Sequence, residues 1–91
     1  MKREAIFRKQ FRKDLERIKR TGSDTTRLLE VIELLTNHQP LPPNSRDHQL
    51  IGNLKDYREC HLGGDWLLIY QLSNNTVSVS KWADILFQMP M

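Results

Sequence analysis

Phe7, Phe11, Leu15 and Ile18 recur at the spacing that lines one face of a helix, and Thr21-Gly22 ends the run. Ala5, Ile6 and Phe7 at its start read as a short opening strand. Ser23 or Asp24 can cap a second helix, with Leu28, Leu29, Ile32 and Leu35 as its buried stripe and Asn37 and Pro40 as its stop. Pro40, Pro42 and Pro43 stiffen the connector that follows, because each fixes φ and biases the residue before it towards extended backbone. Beyond it the period changes. Tyr57 to Leu62, Trp66 to Leu72 and Thr76 to Trp82 read as three strands, joined by hairpins at Gly63-Gly64-Asp65 and Ser73-Asn74-Asn75. Val77 and Val79 alternate with Ser78 and Ser80, so one sheet face should lie against the helices and the other should be open to a ligand. Ala83 to Phe87 suggests a short C-terminal helix and Met89-Pro90-Met91 a loose tail. The predicted fold is α+β, a small antiparallel sheet packed against two N-terminal helices.

Size and composition bound what such a chain can do. Ninety-one residues make one domain, 1–91, with a thin core, and 38% apolar with 27% charged residues is a globular rather than a disordered composition. No run approaches the roughly 20 apolar residues of a membrane span, and Met1-Lys2-Arg3 is followed by charge rather than a signal-peptide core, so a cytoplasmic protein is expected. Cys60 is the only cysteine, which excludes an internal disulfide and a structural thiolate zinc site. The net charge of +3 conceals an asymmetry: residues through Arg46 carry eleven Lys/Arg against six Asp/Glu, and the remainder three against five. Arg8, Lys9, Arg12, Lys13, Arg17, Lys19 and Arg20 concentrate the excess on the first helix, either as a solvated face or as a surface for RNA phosphates or an acidic protein.

The chemistry-bearing residues cluster between Asp47 and Tyr70. Strand parity places Tyr57, Glu59 and His61 on one face and Arg58, Cys60 and Leu62 on the other, and the apolar pair marks the second as the core side. His61 then stands on the open face near the turn that presents Asp65, with His48 entering from the preceding loop. A carboxylate beside an imidazole fixes the ring, and two histidines can divide the acid and base roles of RNA cleavage. Lys55 and Arg58 are candidate phosphate clamps or plain solvated charges; Trp66 is a packing residue or a base-stacking one. His38, beside the prolines, is assigned no role. A zinc site from His48, His61 and Asp65 fits none of the common zinc spacings.

Pro40-Leu-Pro-Pro, Arg46-Asp-His-Gln-Leu, Gly52-Asn-Leu-Lys-Asp-Tyr-Arg-Glu-Cys-His-Leu and Asp65-Trp-Leu-Leu-Ile-Tyr together resemble the YafQ branch of the RelE/ParE toxin superfamily over nearly the whole chain. The resemblance implies a type II toxin that cleaves mRNA in the ribosomal decoding site, needing no metal or other cofactor, and neutralised by a DinJ/RelB-type antitoxin in an oligomeric complex. Carried over by motif, His48 is the histidine of the family's Asp-His-Pro-Leu, with Gln49 in place of the proline, and His61 is that of its Cys-His-Leu. Asp65 would support catalysis and Trp66 contact RNA.

The ending departs from the family. Its usual Arg-x-Gly-[Ser/Thr]-His-[Ser/Ala]-[Asp/Glu]-Leu-Phe is here Val79-Ser-Lys-Trp-Ala-Asp-Ile-Leu-Phe. Aligned on Phe87 the arginine becomes Val79 and the histidine Ala83; with one inserted residue the histidine falls on Trp82. Phe87 remains as an RNA or ribosome contact, and Lys81 is the nearby cation that can replace the arginine. Losing one well-placed acid or base commonly costs on the order of 10²- to 10⁴-fold. Three readings follow: a ribosome-dependent endoribonuclease toxin, an attenuated homologue that binds antitoxin without cutting, and a ParE-like gyrase poison.

Overall fold

A computed structural model describes residues 2–22, 24–63 and 66–84. Strand β1 (Glu4–Phe7) leads into helix α1 (Lys9–Arg20) and helix α2 (Thr26–Thr36), followed by β2 (His48–Gln49), β3 (Arg58–His61), β4 (Trp66–Leu72) and β5 (Thr76–Asp84). They form one five-stranded sheet in the order β1-β5-β4-β3-β2. The hairpin strands pair antiparallel as expected, while β1 lies parallel to β5, from Glu4 opposite Thr76 to Phe7 opposite Val79. The short edge strand β2 was not expected from the pattern, since two residues carry no period to read.

The helices form for the expected reasons, with one change of face. Phe11 and Ile18 of α1 are buried, and Thr21 closes the helix by donating its hydroxyl to the Ile18 carbonyl at 2.7 Å before Gly22 turns at φ 76°. Asp24 accepts the Thr26 backbone N–H at 2.9 Å, meeting one of the donors that the start of α2 leaves free. The buried stripe of α2 is Leu28, Val31 and Leu35, whereas Leu29 is 62% exposed and Ile32 half-buried. Steps of three and four from Leu28 reach Val31 and Leu35; Leu29 sits about 100° round the helix and turns outward.

Both helices cover one sheet face. Phe11, Ile18, Leu28, Val31 and Leu35 pack there against Cys60, Leu68, Tyr70, Val77, Val79 and Trp82. Strict alternation from Val77 and Val79 would send Lys81 into this core. A β-bulge prevents it: Tyr70 pairs with Val79 but its neighbour Ile69 pairs with Lys81, leaving Ser80 as the extra residue. The phase of β5 shifts by one, so Trp82 enters the core and Lys81 turns to the opposite face. Asp14 of α1, 3% exposed, accepts the Trp82 backbone N–H at 3.1 Å beside the bulge. Of the terminal helix expected over Ala83 to Phe87, Ala83 and Asp84 instead continue β5; residues 85–87 lie outside the described part.

Candidate active site

The sheet face away from the helices brings the two expected histidines together. His48 of β2 lies directly opposite Glu59 of β3, and its Nε2 is 3.3 Å from Glu59 Oε1. His61, two residues beyond Glu59, shares that face and is a diagonal neighbour of His48, roughly 7–8 Å away at Cα. The other ring nitrogen of His48, Nδ1, lies 2.7 Å from the Arg46 carbonyl oxygen. A carbonyl and a carboxylate both only accept, so each ring nitrogen must carry a hydrogen for both contacts to be hydrogen bonds. Lys81 occupies the same face: Ile69 lies between it and Glu59 in the register, two strand spacings or about 10 Å across. The bulge thus delivers a cation to the histidine face.

A second cluster sits on the helix side of the same strands. Asp47 is gripped by Arg58, which donates Nε to Oδ1 at 3.1 Å and Nη2 to Oδ2 at 3.0 Å, and by the buried Tyr70 hydroxyl. The hydrogen bonds from Asp47 raise the guanidinium's affinity for its proton, and burial together with Asp47 pushes the Tyr70 phenol above its ordinary value. This cluster closes one wall of a cleft of about 670 Å³ that Arg3, His38, Lys55 and Asp56 also line.

The structure therefore divides the expected site. His48 and His61 come together, with Lys81 on their face. Arg58 does not join them: strand parity turns it to the other side, where the expected phosphate clamp is instead closed on Asp47. Lys55 lies at the cleft, on the loop after a 3-10 turn at Gly52–Leu54, rather than beside the histidines. Trp66 shares the helix-side face with Leu68 and packs against the core, its ring 5.7 Å from that of Trp82, so its contact is aromatic packing. Asp65 and Phe87 lie outside the described residues. His48 belongs to a paired strand rather than to a loop.

Glu59 and Tyr70 were given no role by the sequence. Glu59 was legible in part, because parity already set it beside His61; what it faces depends on the β2 register. Cys60 is fully buried, and burial lifts its thiol to about 12, which removes it as a nucleophile at neutral pH. Among the described residues, no three His, Cys, Asp or Glu side chains converge as metal ligands, and no helix is long and apolar enough to cross a membrane.

Known proteins are similar to this chain over nearly its whole length. Residues 3–84 match the family described as the bacterial toxin of type II toxin-antitoxin system, YafQ. The mRNA interferase toxin YafQ of Escherichia coli K12 is 35% identical over 82 residues, 89% of either chain. A copper-bound mutant toxin from Helicobacter pylori superposes with a TM-score of 0.90 at 30% identity, covering 98% of this chain and all of that one. The E. coli toxin in its DinJ-YafQ complex superposes with a TM-score of 0.88 at 28% identity, over 99% of this chain and 100% of that one. With the fold and the sequence match agreeing over almost the whole chain, it belongs to the YafQ family of toxins of type II toxin-antitoxin systems.

Proposed function

We propose that this single-domain chain is an mRNA interferase, a cytoplasmic endoribonuclease that cuts mRNA on the ribosome. The observation that carries the reading is the His48, Glu59 and His61 arrangement on the sheet face away from the helices. One imidazole takes the proton of a 2′-hydroxyl, the freed oxygen attacks the adjacent phosphorus, and the other imidazole protonates the departing 5′-oxygen. Glu59 holds His48 in one orientation, Lys81 offers charge to the developing phosphorane, and Asp65 and Phe87 join the site by family motif. Expression of the wild-type chain should arrest growth and yield new mRNA 5′ ends at codon positions, and His61→Ala should abolish both. Equal cleavage by the two would defeat the reading, and DNA damage signalling without mRNA cleavage would point to a gyrase poison.

One observation favours a weakened enzyme. The positions where the family's terminal arginine and histidine would fall are Val79 and either Ala83 or Trp82, and Val79 and Trp82 are both buried in the core. Arg58, the arginine of β3, is committed to Asp47 on the other face and does not replace the lost arginine. The partner is a DinJ/RelB-type antitoxin whose acidic segment lies against the basic outer face of α1; Arg12, Lys13, Arg17, Lys19 and Arg20 are exposed there.

A further inference from the structure

The two residues before His48 form a positioning device. Arg46 adopts φ 49°, a left-handed conformation that is unfavourable for a non-glycine residue, and its carbonyl oxygen is the one that takes His48 Nδ1 at 2.7 Å. A strained backbone whose carbonyl is aimed at one histidine is a reason to look for what keeps it there. The next residue supplies it. Asp47 and His48 point to opposite faces of the sheet. On the far side, both oxygens of Asp47 are taken, by the two-bond grip of Arg58 and by the hydroxyl of Tyr70.

Strand β2 needs such an anchor. It has two residues and two ladder partners, His48 opposite Glu59 and Gln49 opposite Arg58, and forms the edge of the sheet. A slip of one residue would turn His48 to the wrong face. Arg58 and Tyr70 lie opposite each other on β3 and β4, and Tyr70 is fully buried, so the grip transmits the register of the rigid sheet centre to its loose edge.

We infer that Asp47, clamped by Arg58 and Tyr70, is a positioning residue that holds the strained Arg46 turn and thereby fixes the ring of His48 between the Arg46 carbonyl and Glu59. The inference rests on the catalytic reading of His48 and adds to it the side chains that set its geometry from the opposite face.

The test pairs imidazole NMR of the free protein with single-turnover cleavage on mRNA-programmed ribosomes. Asp47→Asn and Tyr70→Phe each change few atoms, and Asp56→Asn, which alters an exposed carboxylate in the connection between β2 and β3, is the charge control. In the wild type, the ¹⁵N signals of His48 should report a hydrogen on Nδ1, held by the Arg46 carbonyl. In Asp47→Asn they should move towards those of an unconstrained imidazole while those of His61 stay put, and the saturating cleavage rate should fall about 10- to 100-fold with half-saturation within about twofold. Tyr70→Phe should follow in the same direction and Asp56→Asn should match the wild type. A His48 spectrum unchanged in Asp47→Asn and Tyr70→Phe would overturn the clamp, as would a changed spectrum with full cleavage. Wild-type cleavage by His48→Ala would instead defeat the catalytic reading while the spectra still judge the clamp.

Discussion

Asp14 joins α1 to the strand that carries Lys81, and its loss should be expensive. The carboxylate is 3% exposed, accepts the Trp82 backbone N–H at 3.1 Å and the Gln10 side-chain amide at 2.8 Å, and lies 3.6 Å from Arg17. Asp14→Ala leaves the buried Trp82 N–H without its acceptor, a penalty of about 1–3 kcal/mol, and the lost Gln10 bond adds about 1 kcal/mol. Arg17 contributes little, because its side chain is 64% exposed and the pair is screened by solvent. The total is about 2–4 kcal/mol. At about 4–8 °C per kcal/mol for a chain of this size, Tm should fall by roughly 8–32 °C. Asp14→Asn keeps a carbonyl acceptor for Trp82 and should lose less than half as much. Thermal and urea unfolding followed by circular dichroism measure all three proteins, with Arg17→Ala as the control. If Asp14→Ala stays within about 0.5 kcal/mol of wild type, or Arg17→Ala is equally damaging, the hydrogen bond to Trp82 is not what ties α1 to β5.

Glu59→Gln should keep the fold but loosen His48, lowering cleavage on the order of 10-fold in single-turnover assays; an unchanged rate would show that the 3.3 Å contact does not serve catalysis. Alkaline stability has a definite sign. Cys60 titrates near 12 in the folded chain against 9.0 when free, and Tyr70 is raised above its ordinary 10.0, so above pH 9 the unfolded chain releases protons that the folded chain keeps. Stability from these groups is fully present below pH 9 and is lost as pH rises towards 12, with Cys60→Ala showing a shallower decline in urea titrations between pH 8 and 10.5. Neutralising Arg12, Arg17 and Lys19 together should weaken antitoxin binding at low salt and flatten its salt dependence in calorimetry; equal affinity would remove α1 from that interface.

Most of the fold was legible in the chain because its signals are local. The α1 stripe, the stop at Thr21-Gly22 and the hairpin strands follow from periods read over a few residues. Two of the unread strand pairings have a common cause. Strand β2 is two residues long, and β1 pairs with a strand some seventy residues away, so neither pairing leaves a mark on its own stretch of sequence. The α2 stripe erred because Leu29 is as apolar as its neighbours, and hydrophobicity alone does not tell which of two adjacent leucines faces the core.

The site was legible as chemistry but not as geometry. His48, His61 and Lys81 do share a face, yet for Lys81 that outcome contradicts the alternation of Val77 and Val79 and depends wholly on Ser80 being the odd residue in the β4–β5 ladder. Arg58 shows the converse. Its type suits a phosphate, but its parity matches that of Cys60, so it meets Asp47 and Tyr70 instead. Residue type proposes a role and strand phase decides it. In this chain one bulge moves a lysine to the histidine face, and one clamp on the opposite face holds the edge strand where His48 can meet Glu59.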